Sequence, residues 1–130
     1  MKTIGIGVDI VKNKRIRQAI KNKKFISRIF DKQEILDSEK TRNKISFLSK
    51  RFAAKEALVK AIGTGFRDGL NFKDIKIVNN KHGKPDYALS LKLNNFIKKK
   101  KKIKNFNLFL SISDEREYSI AFAIIQATLL

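Results

Sequence analysis

Residues 4–10 read Ile4-Gly5-Ile6-Gly7-Val8-Asp9-Ile10, and this strict alternation predicts a β-strand with two unlike faces. Ile4, Ile6, Val8 and Ile10 share one face, while Gly5, Gly7 and Asp9 share the other. Glycine weakens a strand interior, and close approach of a ligand or of another backbone is one reason for it to stand there. The glycine face is therefore expected to present a carboxylate with open space beside it.

A second stretch, Arg51-Phe52-Ala53-Ala54-Lys55-Glu56-Ala57-Leu58-Val59-Lys60-Ala61-Ile62-Gly63-Thr64-Gly65, has helical composition. The helix is expected to begin near Ser46 and end at Ile62, with Gly63 as its C-terminal cap. Phe47, Ala54, Leu58 and Ala61, widened by Leu48 and Ile62, supply its apolar stripe. Glu56 lies among Arg51, Lys55 and Lys60. Mg2+ takes one or two protein carboxylates and fills its other positions with water and phosphate oxygens, so Asp9 and Glu56 beside these cations suit a phosphorylated substrate. Glu56 and Lys60 also stand at i, i+4, the spacing of a surface pair worth about 0.2–0.5 kcal/mol, so the helix alone does not single Glu56 out.

Around these two stretches the chain reads as an α+β domain spanning residues 1–130. A largely antiparallel sheet packs against the long helix. Asn13 is placed to cap a helix carrying Ile16, Ala19 and Ile20, and a second apolar group follows at Phe25, Ile26, Ile29 and Phe30. Asp74–Val78 and Tyr87–Leu91 form the arms of a hairpin turning at Lys81-His82-Gly83-Lys84-Pro85. A short basic helix over Leu93–Lys102 precedes strands at Leu108–Ser113 and Tyr118–Gln126. The last strand is apolar on both faces, which predicts a sheet interior or a subunit contact.

Composition excludes several chemistries. The 130 residues include no cysteine and one histidine, His82, so disulfides, thiolate catalysis and multi-histidine metal sites are ruled out. No apolar run approaches a membrane span and the start does not resemble a signal peptide, so a cytoplasmic protein is expected. The formal charge of +18 points to an anionic partner. Nine of the lysines and arginines fall between Lys12 and Lys32, against one acid, Asp31. A basic nucleic-acid-binding module would also account for this charge, but not for Asp9 and Glu56.

Taken together, Gly5-Ile6-Gly7-Val8-Asp9-Ile10 with Arg15-Ile16, Phe47-Leu48, the Arg51–Ala57 block, Lys60-Ala61-Ile62-Gly63-Thr64-Gly65, Asp74-Ile75, Gly83-Lys84-Pro85 and Ser111-Ile112-Ser113 with Tyr118 resemble the holo-acyl-carrier-protein synthases. These are the small trimeric type of 4'-phosphopantetheinyl transferase, and the likeness covers nearly the whole chain. The resemblance implies transfer of phosphopantetheine from coenzyme A to a serine of apo-acyl carrier protein, releasing adenosine 3',5'-bisphosphate, in support of fatty acid biosynthesis. It implies Mg2+ at Asp9 and Glu56, and catalytic roles for Glu56 and Lys60. Coenzyme A contacts are implied at Arg51, Lys60, Gly63, Lys84, Pro85 and Ser113. Either Glu56 or a water at the metal would take the serine proton. The acidic carrier protein would dock on Arg15, Lys24 and Arg28, and a homotrimer would place coenzyme A between subunits. One departure stands out. After Ser-x-Ser the family usually carries histidine, whereas this chain has Asp114, a group that only accepts hydrogen bonds when ionised and disfavours a nearby phosphate unless it turns away or pairs with Arg116. An impaired homologue that binds without turnover is the alternative this departure raises.

Overall fold

The computed structural model describes residues 1–65 and 70–130. In chain order the elements are β1 (Lys2–Lys12), α1 (Asn13–Ala19), α2 (Lys23–Ile29), α3 (Lys32–Glu39), α4 (Lys44–Ile62), a 3-10 turn (Phe72–Asp74), β2 (Ile75–Asn79), β3 (Pro85–Leu89), α5 (Leu91–Lys101), β4 (Ile103–Asp114) and β5 (Tyr118–Leu129). The mixed α+β architecture with antiparallel pairing is as expected. The strands form two sheets rather than one: β1-β5-β4, and the separate hairpin β2-β3.

β5 takes the central position, the first of the two placements its apolar faces allowed. Ala121, Ala123, Ile125 and Ala127 are buried beneath α4, while Ile120 and Phe122 point the other way and are exposed. β1 flanks it with Gly7 opposite Ala123 and Asp9 opposite Ala121. The exposed side of the sheet continues across β1, where Ile6, Val8 and Ile10 are 59%, 52% and 57% exposed. The isoleucine face of β1 thus faces outward. Ile4 departs from it: a register shift between Thr3 and Gly5 breaks the alternation, and Ile4 packs against the core instead.

α4 begins two residues earlier than expected, at Lys44, because Asn43 caps it by accepting from the Ser46 N–H at 3.0 Å. It ends at Ile62, where Gly63 adopts φ +85° and its N–H closes on the Val59 carbonyl at 2.9 Å. The helix is buried more widely than its predicted stripe, because it is sandwiched. Ala53, Ala57 and Ala61 lie in the core with the sheet, and Leu48 joins a second cluster with Val11, Ile16, Ile29 and Phe30. Phe25, Phe52 and Phe72 stack beside that cluster, with Phe25–Phe52 and Phe52–Phe72 centroids 5.9 and 5.8 Å apart. Tyr87 ties the hairpin to α4 through its hydroxyl, which donates to the Ala54 carbonyl at 2.6 Å.

Asn13 does not cap α1. It is the first helical residue, and its side chain reaches across the fold: the amide donates to the Glu115 and Arg116 carbonyls, and Oδ1 accepts from Ser119 Oγ at 2.8 Å. The β4–β5 turn is clamped to the end of β1 this way. α3 went unread in the sequence, although Asp31-x-x-Glu34 is a full capping box, each side chain accepting from the other's N–H.

Candidate active site

The space expected beside Gly5 and Gly7 is filled by α4. A Cβ on Gly7 would fall on the Ala57 carbonyl oxygen and lie 2.6 Å from the Ala61 nitrogen; one on Gly5 would fall on the Ala61 carbonyl oxygen. Backbone, not ligand, is what approaches here. With no side chain between them, helix and strand close up and bring Glu56 and Lys60 to Asp9. The Lys60 side chain leans toward the helix N-terminus, as helical side chains do, and so runs back toward Asp9. Its ammonium donates to Asp9 Oδ1 at 3.0 Å and to the Val8 carbonyl at 3.1 Å. The i, i+4 surface pair is therefore not what Lys60 makes; its ion pair is with the strand.

Asp9 Oδ2 is buried and has no hydrogen-bond partner. Half-buried Glu56 has its carboxyl pushed up, first by burial and then by the charge of Asp9, with Lys60 opposing. Two carboxylates thus share a seat that one lysine only partly neutralises. Among the described residues no group of three or more His, Asp or Glu gathers to hold a metal. Two carboxylates are nonetheless the protein share that Mg2+ accepts, and the partnerless Asp9 oxygen leaves that carboxylate short of positive partners, so the residues fit that ion.

On the other flank of α4 a pocket of about 310 Å3 is lined by Phe47, Lys50, Arg51, Asn79, Gly83, Pro85, Ile112 and Asp114. The Arg51 guanidinium lies over the Phe47 ring at 4.6 Å from its centroid, and its Nε is buried without a partner. Burial lowers the Arg51 pKa, while Glu34 and Asp37 act against that. Asp114 does not pair with Arg116. It accepts from Ser46 Oγ at 2.9 Å and lies 4.0 Å from Lys50 Nζ, which sets its charge beside the first turn of α4, where a negative charge is favoured. Lys84 is exposed in the β2–β3 turn, its N–H held by Asn80 Oδ1 at 3.0 Å. Ser113 pairs across the strands with Ile120 on the outer face of the sheet, away from the pocket that its neighbours Ile112 and Asp114 line.

Within one chain these two groups do not meet. Arg51 and Glu56 are five residues apart, or about 140° around the helix. Asp9, Ala121 and Ile112 share one row across the sheet, which puts Asp9 and Ile112 roughly 10 Å apart on opposite edge strands. α4 stands over that row with the acids on its β1 side and Arg51 on its β4 side.

Lys55 belongs to neither group. The sequence set it beside a phosphate; the fold buries it completely, with Nζ 2.6 Å from Glu34 and 2.7 Å from the Ile29 carbonyl. The residues expected to meet an acidic partner lie on the first two helices. Arg15 lines an open groove of about 840 Å3 with Lys12, Lys14, Gln18, Ala19, Asn22 and Phe25. Lys24 and Arg28 are exposed on α2, where Arg28 borders a separate hollow with Phe72 and Lys73. His82 is an exposed turn residue.

The profile of the 4'-phosphopantetheinyl transferase superfamily matches residues 5–123, and the chain belongs to that family. It is 58% identical over 126 residues to the holo-[acyl-carrier-protein] synthase of Pelagibacter ubique, covering 97% of this chain and 98% of the relative. The crystal structure of the Neisseria meningitidis holo-[acyl-carrier-protein] synthase superposes with a TM-score of 0.84 at 36% identity, covering 95% of this chain and 98% of that one. The Bacillus anthracis enzyme, solved in complex with CoA (3',5'-ADP), superposes with a TM-score of 0.78 at 30% identity, covering 98% and 99%. The enzymatic class is that of the holo-[acyl-carrier-protein] synthases, which are phosphopantetheinyl transferases. Among the described residues no helix is long and apolar enough to cross a membrane.

Proposed function

We propose that this chain, as one domain over residues 1–130, moves 4'-phosphopantetheine from coenzyme A to a serine of apo-acyl carrier protein in the cytoplasm, serving fatty acid synthesis. Asp9 and Glu56 hold Mg2+ in this reading, and adenosine 3',5'-bisphosphate leaves. The observation that carries it is the seat itself: a buried, partnerless Asp9 oxygen beside a Glu56 whose pKa is raised by burial and by Asp9. A solved relative at 30% identity holds coenzyme A. Bound at the two acids, the metal offsets charge on the pyrophosphate and on the departing oxygen.

The residues of the chain divide the remaining work. Lys60 presents a point charge to the pyrophosphate. Arg51, with a buried donor still free, suits the terminal phosphate of the nucleotide; Pro85 borders the same pocket, and Lys84 stands next to it in the β2–β3 turn. Asp114 is tied to Ser46 and Lys50, which draws its charge toward α4. The serine oxygen bonds to the phosphorus nearest the pantetheine as that phosphorus releases the bisphosphate. Glu56, or a water beside the metal, is the group that would take the serine proton in this reading. The groove beside Arg15, with Lys24 and Arg28 further along, suits the acidic carrier protein, and charge steering there makes association salt-sensitive.

A homotrimer fits this reading, because it would complete the site from two copies. The two half-sites lie at opposite sheet edges, and the sheet leaves Ile6, Val8, Ile10, Phe109, Ile120 and Phe122 exposed. Apposing the β1 edge of one copy with the β4 edge of the next would join the half-sites and cover that face. Phe122→Lys is expected to give the mass of a single chain by light scattering, with its circular dichroism retained. An assembly of unchanged mass would exclude this face as the contact.

Intact mass of apo-acyl carrier protein after incubation with this protein, coenzyme A and Mg2+ tests the reaction. A gain of one phosphopantetheine is expected, absent with EDTA. In Glu56→Gln the rate should fall roughly a hundred- to a thousand-fold. A variant transferring at the wild-type rate would remove Glu56 from the site.

A further inference from the structure

We propose that Lys60 is a resident counter-cation: its ammonium occupies the seat at Asp9, and a divalent ion gains Asp9 Oδ1 only when that ammonium leaves. The inference rests on Asp9 and Glu56 being the metal ligands. Three observations carry it. Lys60 Nζ bonds to Asp9 Oδ1 at 3.0 Å and to the Val8 carbonyl at 3.1 Å, so it is docked on the strand rather than merely near it. The Asp9 side chain is only 13% exposed, so a competing cation has little of this carboxylate left to approach. The Lys60 side chain is 54% exposed, and its flexible stem therefore has solvent-side positions to move to.

The docked ammonium explains how a half-buried pair of acids is tolerated without metal. It also predicts a cost: a divalent ion must displace the ammonium before it can coordinate Oδ1, the oxygen Lys60 holds, while Oδ2 lies buried. A phosphate arriving with the ion offers the ammonium a new partner, so metal and phosphorylated substrate are expected to load together. Lys60 is then both the guard of the seat and the cation that meets the substrate.

The test measures Mn2+ binding by the amplitude of the free-ion electron paramagnetic resonance signal, on the full chain without any nucleotide. Wild type, Lys60→Met, Asp9→Asn and Lys12→Met are compared. Methionine keeps the helix and the length of the stem and removes only the charge and the donors. Lys60→Met is expected to bind Mn2+ roughly tenfold more tightly than wild type, within the usual range of coupling between two ligands. Lys12→Met, three residues along the strand from Asp9, is expected to stay close to wild type, and Asp9→Asn to lose binding. Equal or weaker binding by Lys60→Met, with Asp9→Asn still deficient, would overturn the counter-cation role and leave the metal seat standing. Equal gains in Lys60→Met and Lys12→Met would also overturn it, because a general field and not a docked ammonium would be at work. Failure of every variant to bind Mn2+ would overturn the metal seat and this inference with it.

Discussion

Gly7→Ala is expected to melt far below the wild type, although it adds a single methyl group. The new carbon would land on the Ala57 carbonyl oxygen and sit 2.6 Å from the Ala61 nitrogen. Both are main-chain atoms inside a helix, so no rotamer change makes room. Either α4 lifts from the sheet along its length or β1 distorts. Overpacking of a core costs roughly 1–3 kcal/mol when side chains can yield. Here nothing flexible lies in the way, so the cost should reach the top of that range or pass it, lowering Tm by about 10 °C or more. Gly83→Ala is the useful comparison. That glycine has φ +80° but meets nothing within 4 Å, so its cost is conformational only, roughly 1–2 kcal/mol. Calorimetry showing Gly7→Ala no worse than Gly83→Ala would mean that helix and strand are not in main-chain contact.

Lys55→Met is expected to be comparably severe for an electrostatic reason. Lys55 has no exposed surface and Glu34 has 3%, and their charged atoms meet at 2.6 Å. Burial pulls the Lys55 pKa down while Glu34 holds it up. The ammonium also collects the carbonyls of Ile29, at the end of α2, and of Phe72, at 3.3 Å. Glu34 in turn accepts from the Ile77 N–H at 3.4 Å and from the Asp31 N–H at 3.2 Å. One pair therefore pins α2, α3, α4 and β2 together. Removing the lysine strands a carboxylate in the interior, which costs about 3–5 kcal/mol, or on the order of 10–20 °C in Tm. Adding Glu34→Gln to Lys55→Met should recover part of the loss, because the amide is uncharged, although its single carbonyl oxygen can keep only one of the two N–H partners, Asp31 or Ile77. A double variant as unstable as the sum of the singles would show that the two side chains do not act as a pair.

Much of this was legible in the chain. The alternation of residues 4–10 identified β1, and the two-sided apolarity of 118–125 put β5 either in the sheet interior or at a subunit contact, of which the fold shows the first. Gly63 marked the end of α4, and the spacing of Asp9, Arg51, Glu56 and Lys60 marked the family. What escaped was tertiary. Lys55 and Glu56 are adjacent in sequence, yet successive helical residues point about 100° apart, so one enters the core and the other the candidate site. The sequence could not say which cation met which acid. Glu34 was within reach through its capping box with Asp31, but its second role, as the counter-ion of Lys55, depends on how α3 lies against α4. The two glycines were read as leaving room, and the signal that they did not was present: Ala53, Ala57 and Ala61 recur every four residues on the opposing helix, small side chains facing missing ones. The division of Arg51 and Glu56 between two flanks needed the sheet register as well as the helix.

The contact of peptide groups across Gly5 and Gly7 has a mechanical consequence. Side chains in a core hop among rotamers and tolerate exchange of their neighbours, so a distance fixed by them wanders with each hop and each substitution. A distance fixed by main chain against main chain does not. The gauge between Asp9 and Glu56 is set by carbonyl and amide atoms of α4 resting on bare strand, and those atoms belong to no side chain that can be swapped. Leu58, Ile125 or Leu110 can be traded for other apolar residues with the two carboxylates held in calibration, which lets the interior change its filling while the chemistry at its edge keeps one setting.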